Sequence, residues 1–352
     1  MPDARLGIKV PRSQGEHFRR ILVDLGAFDR TCKISSDESH VYLPVLEMNE
    51  PAKAGLSLAA DLAGADIEWV EKNFEPEERY PSPEEILGFR PSFEIVGDIA
   101  IVEPERADAV AEVLLSTCKP VRTVIAPVSD VEGEFRTRRF KHVAGERRTV
   151  TLHREHGLRY RVDLEKAYFT PRLGTERLRI ARLVQPGEVV LDMFAGVGPF
   201  SLLLAKKGAR VIAMDKNPTA VSLLQENARI NKVEEIEIME GDAAILALRC
   251  ENKADHVIMN LPQKASQFLV PAMRAIRSGG IVHYYAIAPE DDLYMDESLI
   301  KRAAEDQGAS AEILNRGVVR SYAPRRYNVV MDFLVKKQAS GSSVLSQHHG
   351  KI

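Results

Sequence analysis

"VVLDMFAGVGPFSLLLAKKGARVIAMD", residues 189–215, decides the fold. A short apolar run breaks at Gly196-Val197-Gly198, apolar residues at helical spacing follow, and a second apolar run ends on Asp215. That order predicts strand, glycine turn, helix and strand, the repeating unit of an open parallel sheet. Glycines at such a turn let the backbone approach a ligand, and an acid ending the second strand can accept from two ribose hydroxyls.

The third glycine of the dinucleotide fingerprint is absent, with Phe200 or Ser201 near its place. A pyrophosphate on the helix N-terminus is therefore disfavoured, and with it a nicotinamide dinucleotide. Asp192, ahead of the turn, suits a cofactor with an ammonium group and no phosphate. S-adenosylmethionine has that group together with a ribose and an adenine. The competing reading is a glycine-rich turn that binds nothing.

Working outward, EVVLDMF, ARVIAMD, EIEIMEGD, HVIMN and GIVHYYAI read as successive strands, with helices PFSLLLAKK, TAVSLLQENARI and VPAMRAIRS between them. YNVVMDFLVKK adds a last strand. Two further strand ends carry polar groups. Gly241-Asp242-Ala243 follows the third strand, where a carboxylate can accept from an adenine amino group. Asn260-Leu261-Pro262 follows the fourth, and the proline, which has no N–H, stops the ladder there. Ligands of open α/β sheets bind outside the carboxyl ends of the strands, so Asp192, Asp215, Asp242 and Asn260 are expected to line one crevice.

Upstream, RLGIKV, a helix through GEHFRRILVDLGAF, TCKISSD and HVYLPV read as a small β-α-β-β module. The stretch from 66 to 85 carries eight acids with Pro76, Pro81 and Pro83 nearby and reads as a linker. A second module follows: strand FEIVGDIAIVE, amphipathic helix ERADAVAEVLLSTC, strand VRTVIAP, then FRTRRFKHV, RRTVTLHREH and LRYRVDL as a curved meander. Residues 135–161 carry nine basic side chains against Glu146 and Glu155. The formal net charge of −3 thus hides a local basic face that can meet a polyanion, although a solvated β-surface has the same composition. The three cysteines are far apart and form no CxxC pair, which excludes a disulfide framework and points to a reducing compartment. No apolar run reaches membrane-spanning length, and the first residues have no signal-peptide core, so a cytoplasmic protein is expected. His153 and His156 fall on opposite faces of their expected strand, and no metal site is expected.

DMFAGVGPF, the Asp215 strand end, GDA and NLP together resemble a class I S-adenosylmethionine-dependent methyltransferase. More narrowly, AYFTPRLGTERLRIARLV (167–184), GEFRTRRF (133–140) and the small N-terminal module resemble the archaeal and eukaryotic tRNA (guanine-37, N1)-methyltransferases. The resemblance covers nearly the whole chain. It implies an α/β fold in which a Rossmann-like class I methyltransferase sheet (161–338) follows two smaller α+β domains: a tRNA-recognition domain at 1–80 and a basic RNA-binding domain at 81–160. A flexible tail at 339–352 would complete the chain.

By the same resemblance, S-adenosylmethionine would be held by Asp192, Phe194, Gly196, Gly198, Asp215, Lys216, Asp242, Ala243 and Asn260. The tRNA anticodon loop would present guanosine 37, extruded into the pocket. N1 of guanine carries a proton, so a general base must remove it as the methyl arrives. Glu176 matches the family's base, and Arg136 matches an arginine facing the O6 oxygen. Tyr168 matches a tyrosine beside the flipped nucleoside. Asn260 would grip the guanine edge, with Pro262 fixing its turn. Arg177 either approaches the cofactor or simply begins its helix, and Arg172 has the same two readings. Arg316, Arg320, Arg325 and Arg326 could add phosphate contacts. A monomer without an obligatory protein partner is expected. Three alternatives stand beside this reading: the aminocarboxypropyl transferase of wybutosine synthesis, a methyltransferase that also acts on a tricyclic guanosine, and an inactive RNA-binding protein of the same fold.

Overall fold

The computed structural model describes residues 4–338 except 65, 78–80 and 132, so the expected tail at 339–352 lies outside the described residues. The chain divides into two compact units, residues 1–82 and 83–352.

In the first unit, strands run in the order Ser35–Ser36, His40–Pro44, Arg5–Pro11, Glu68–Lys72, and the last three pair antiparallel. Alternation along Arg5–Pro11 puts Ile8 and Val10 on one face, where they meet Phe18 and Leu22 of helix Gly15–Asp24 and Leu56 of helix Glu50–Ala63. The second helix is an addition to the expected β-α-β-β order. Its signals are nonetheless local: Asn49 accepts from the Ala52 N–H at 3.0 Å, Pro51 sits in the first turn, and Gly64 closes it at φ +61°. Part of the expected acidic linker is likewise an edge strand. Lys9 lies opposite Glu68 in the ladder and their side chains meet at 2.7 Å, so the acids there serve cross-strand pairing.

The second unit opens with a mixed sheet ordered Phe93–Val96, Ile99–Val102, Thr123–Pro127, Phe140–Gly145, backed by helix Ala107–Thr117. The expected three-segment meander is split here. Phe140–Gly145 joins this sheet, whereas Val150–Glu155 pairs with Leu158–Asp163 as a separate hairpin. Gly145 marks the break: its φ is +80°, and a Cβ there would lie 2.1 Å from the Arg122 carbonyl oxygen. Residues 133–136 form a turn instead of a strand, with Gly133 at φ +70° and Arg136 at φ +54°.

We number only the elements of the large sheet and the helices that support the site. The strands are β1 (Val189–Asp192), β2 (Arg210–Asp215), β3 (Ile236–Glu240), β4 (Ala254–Met259), β5 (Ile276–Pro289), β6 (Ala309–Ala323) and β7 (Arg326–Lys337). They lie in the order β3-β2-β1-β4-β5-β7-β6, parallel through β5, with β7 antiparallel to both its neighbours. The sequence reading missed β6, whose exposed and polar alternation resembles a surface loop. The helices are α1 (Gly174–Leu183), α2 (Pro199–Lys206) and α3 (Pro218–Asn231).

One apolar core runs from Val96, Ile99 and Ile125 through the hairpin's Tyr160 and Val162 to Val190 and Phe200, so the basic segment and the catalytic sheet share an interior. Two asparagines one turn apart on α3 dock the hairpin. Asn231 exchanges both backbone hydrogen bonds of Arg159 (2.9 and 2.6 Å), and Asn227 exchanges both of Arg161 (2.6 and 3.1 Å). The amides stand where a neighbouring strand would stand. Asn227 also donates to the Val197 carbonyl in the glycine turn at 3.0 Å. Asn227→Leu leaves these buried backbone groups unpaired, which costs roughly 1–3 kcal/mol. Urea unfolding should show a lower midpoint with an unchanged slope.

Candidate active site at the strand carboxyl ends

Between β1 and β4 the strand order reverses, and the crevice that opens there is the place an open α/β sheet offers a ligand. It holds a cleft of ≈ 290 Å³. Of the residues expected to hold the cofactor, Arg177, Phe194, Gly196, Asp215, Lys216, Asp242, Ala243 and Asn260 line it. Asp192 and Gly198 do not. Gly198 sits at φ +90°, where a Cβ would fall 2.2 Å from Leu224 Cδ1; it is glycine so that α2 can pack on α3.

Asp192 is fully buried. Its Oδ2 accepts from the Ser201 hydroxyl at 2.6 Å, and its Oδ1 has no partner. Burial pushes its carboxyl up to about 6. A buried acceptor without a donor is what an ammonium-bearing ligand would complete. Asp215 accepts from the Gly196 N–H at 2.7 Å and the Asn217 N–H at 2.8 Å, and burial raises it above the usual carboxylate range. Asp242 caps the short helix that follows it, accepting from the Ala244 N–H at 2.9 Å. That bond, with Lys216 at 3.2 Å, holds it below the usual range. Asp215 and Asp242, which line the cleft, therefore fit a ligand bearing a ribose and a nitrogen heterocycle, and Asp192 offers an ammonium an open acceptor behind Met193 in the cleft wall.

In the same cleft, the Arg136 guanidinium lies 4.7 Å from the centroid of the Tyr168 ring, and its buried Nε has no partner among the described residues. Asn260 lines the same cleft and makes no side-chain hydrogen bond among the described residues. Pro262 stands off the cleft, inside a turn closed by Lys264 N–H to the Leu261 carbonyl. Arg172 is half-exposed, also off the cleft, and pairs with Glu94 at 3.2 Å. Arg177 occupies the first turn of α1, lines the cleft and is 2% exposed. One of its nitrogens bonds both Glu155 oxygens (2.8 and 2.7 Å), and another donates to the Thr170 carbonyl.

Glu176 is buried, but its carboxylate does not line the cleft, although Leu173 and Arg177 on either side do. It accepts from Arg179 at 2.9 and 2.8 Å and from the Tyr285 hydroxyl at 2.6 Å. Sequence reasoning missed these partners, and also the Glu134–Lys216 pair (2.6 Å) that ties the Arg136 turn to the end of β2. It missed Phe268, edge-on to Phe194 across the cleft. Two of the arginines expected at phosphates are occupied instead: Arg316 pairs with Glu297 at 2.6 Å and Arg325 with Glu290 at 3.3 Å.

Sheet order and crevice define a Rossmann-like α/β protein with a nucleoside-cofactor site. Residues 151–313 match the TRM5/TYW2 methyltransferase domain, 7–53 the tRNA methyltransferase 5 N-terminal domain and 79–149 the TYW2 N-terminal domain. The tRNA (guanine(37)-N(1))-methyltransferase Trm5b of Pyrococcus abyssi is 42% identical over 94% of this chain and 99% of its own. Its crystal structure aligns with a TM-score of 0.67 over the same shares, at 41% identity. A complex of aTrm5 with tRNALeu is 34% identical over 94% of this chain and 99% of that one, with a TM-score of 0.64. Trm5 of Methanocaldococcus jannaschii, solved with adenosine, is 33% identical over 95% of this chain and all of its own, with a TM-score of 0.61. The chain belongs to the TRM5/TYW2 methyltransferase family, among the tRNA (guanine-37, N1)-methyltransferases of archaeal and eukaryotic type.

The raised carboxyl of Asp192 gives a stability test. A folded-state value of about 6, above the ordinary aspartate value, contributes stability that is fully present below the unfolded value and is lost as pH rises through about 6. Asp192→Asn should therefore melt higher than the parent at pH 7.5 in the absence of ligand. The gap should close below about pH 4.

Proposed function

We propose that this protein transfers a methyl group from S-adenosylmethionine to N1 of guanosine 37 in tRNA. The observation that carries the reading is that one cleft is lined both by the strand-end carboxylates Asp215 and Asp242 and by Arg136, its Nε unpartnered, over the Tyr168 ring. Bound in the cleft, the cofactor supplies an electrophilic methyl on a sulfonium sulfur. Asp215 takes the ribose hydroxyls, Asp242 the adenine amino group, and Asp192 the ammonium end. Tyr168 stacks on the extruded base and Asn260 bonds its edge. Arg136 donates to O6, where negative charge develops as N1 loses its proton. Glu176 takes that proton. Carboxylates act in this way once within hydrogen-bond reach of the proton. The bond from sulfur to methyl breaks as the bond from methyl to N1 forms, and the proton leaves on Glu176.

For this function we divide the chain into a recognition module (1–80), a basic module (81–160) that grips phosphates, and a catalytic module (161–338). No helix among the described residues is long and apolar enough to cross a membrane. Three free cysteines support work in a reducing cytoplasm, and we assign the protein no obligatory protein partner, acting as a monomer.

Unmodified tRNA transcript incubated with methyl-labelled cofactor should gain label, and replacing guanosine 37 should abolish it. Nucleoside mass analysis of the product should show one methyl on the guanine ring; an aminocarboxypropyl group would assign the protein to the sister activity of the family. Glu176→Gln should lower the single-turnover rate by about 10²–10⁴-fold with little change in cofactor affinity.

A further inference from the structure

Behind Glu176 lies a polar band that crosses the core between α1 and the large sheet. Arg179 forks between two carboxylates: Glu176, and Asp332 of β7 at 2.6 and 3.2 Å. Asp332 is 3% exposed and is itself held from two other sides. His283, its direct partner across the β5–β7 ladder, meets it at 2.7 Å, and the Asn315 amide donates to it at 2.9 Å. Beyond His283 the band continues to His256 at 3.0 Å and then to the part-exposed Glu188 at 3.2 Å. At the Glu176 end the buried Tyr285 closes the band by donating to that carboxylate. Burial opposes the charge on Asp332, yet the bonds from His283 and Arg179 outweigh it and keep its carboxyl well below the usual range.

This arrangement poses a problem for the proposed base. The Glu176 carboxylate is off the cleft and clamped by a guanidinium, so it must leave Arg179 to reach a guanine N1. Arg179 is only part-exposed, and stripping a half-buried guanidinium of every carboxylate would oppose that movement. Asp332 removes that obstacle, because it stays on Arg179 whether or not Glu176 does. A carboxylate fixed by a histidine and an asparagine is more than a stable fold needs from this position, where β5 and β7 otherwise pack with apolar side chains.

We propose that Asp332 is a positioning residue for methyl transfer: a fixed counter-ion that keeps Arg179 neutralised while Glu176 swings to take the N1 proton. The proposal rests on the reading of Glu176 as the base. In the step itself the N1–H proton passes to the freed carboxylate, the N1 lone pair takes the methyl, and the electron pair of the broken bond stays on sulfur. Arg179 and Asp332 remain paired throughout. Tyr285 keeps its proton, since burial and the nearby Glu176 charge push its phenol well above its usual range.

The test is single-turnover transfer to a tRNA transcript, with cofactor and tRNA affinities measured on the same full-length proteins. Asp332→Asn leaves Glu176 as the sole counter-ion of Arg179, so the rate should fall at least tenfold while both affinities hold within about twofold. The acidic limb of its pH–rate profile should move to lower pH, because the cation now acts on one carboxylate alone. Adding Arg179→Gln to Asp332→Asn should recover at least part of the lost rate, since nothing then holds Glu176 back. A purely structural Asp332 predicts the reverse, a double variant no faster than the single one, and that result overturns the proposal. So does an Asp332→Asn protein at the parent rate. If Asp332→Asn does not fold, Asn315→Ala loosens the same carboxylate and keeps its charge; a rate about threefold lower supports the proposal and an unchanged rate rejects it. Glu176→Gln is run alongside. A Glu176→Gln protein at the parent rate removes the base reading itself, whereas a slow one beside a normal Asp332→Asn protein removes only the role of Asp332.

Discussion

A buried guanidinium organises the catalytic unit. Arg177 is among the largest fully buried side chains of the protein; a cation in such a place needs a counter-charge, and its two terminal nitrogens are paired while its buried Nε is not. Glu155, at the end of the hairpin Val150–Glu155/Leu158–Asp163, takes one nitrogen with both oxygens, and the Thr170 carbonyl takes another. The rings of Phe169 and Phe200 lie 5.3 and 5.8 Å from its guanidinium carbon. These partners come from the hairpin, the 167–173 loop and α2, so satisfying one charge carried on α1 fixes all four against one another. Gly174 belongs to the same constraint, since a Cβ there would stand 3.1 Å from the Glu155 carboxylate. With that loop fixed, the Tyr168 carbonyl lies over Gly196 and the Tyr168 ring lies under Arg136.

The acids at the strand ends are bound to the backbone first. Asp215 ties Gly196 to Asn217, and Asp242 caps the helix after it. Such bonds set the direction of the remaining lone pairs before any ligand arrives, which is how a rigid scaffold presents a site at low ordering cost. Asp192 is anchored in the same way, by the backbone after it and by the Ser201 hydroxyl on Oδ2, but its buried Oδ1 has no partner among the described residues and stays open to a further donor.

What could be read from the sequence was whatever is written in neighbouring residues. Strand periodicity, the 196–198 turn and the polar strand ends are local patterns, and the cleft contains Asp215, Asp242 and Asn260 as expected. Gly198 shows the limit of a motif, because its lack of a side chain serves packing against Leu224 on another helix. The helix Glu50–Ala63 carried readable capping signals but a weak apolar period, and strand Glu68–Lys72 hid among acids whose partner, Lys9, is far away in the chain. The surroundings of Glu176 were out of reach for the same reason in stronger form. Tyr285 is 109 residues away, and Asp332 lies 153 residues from Arg179. Nothing in the residues around 176 indicates whether its carboxylate faces a ligand or a salt bridge.

The histidines of the polar band extend this reasoning to charge. His256 and His283 make three contacts in line: with Glu188, with each other, and with Asp332. When both end groups are carboxylates they can only accept, so three hydrogen bonds require three ring N–H groups, one more than two neutral imidazoles carry. The pair then holds one positive charge between two negative ones. Burial, and then the charge of its neighbour, depress His256 to about 4, so the outer ring resists carrying that charge. At the inner end of the band Arg179 stands between two carboxylates that are held very differently. Asp332 is fixed from three sides, by Arg179, His283 and Asn315. Glu176 has the guanidinium on one side and the uncharged Tyr285 phenol on the other. It is therefore the carboxylate that can leave Arg179 while the other stays in place.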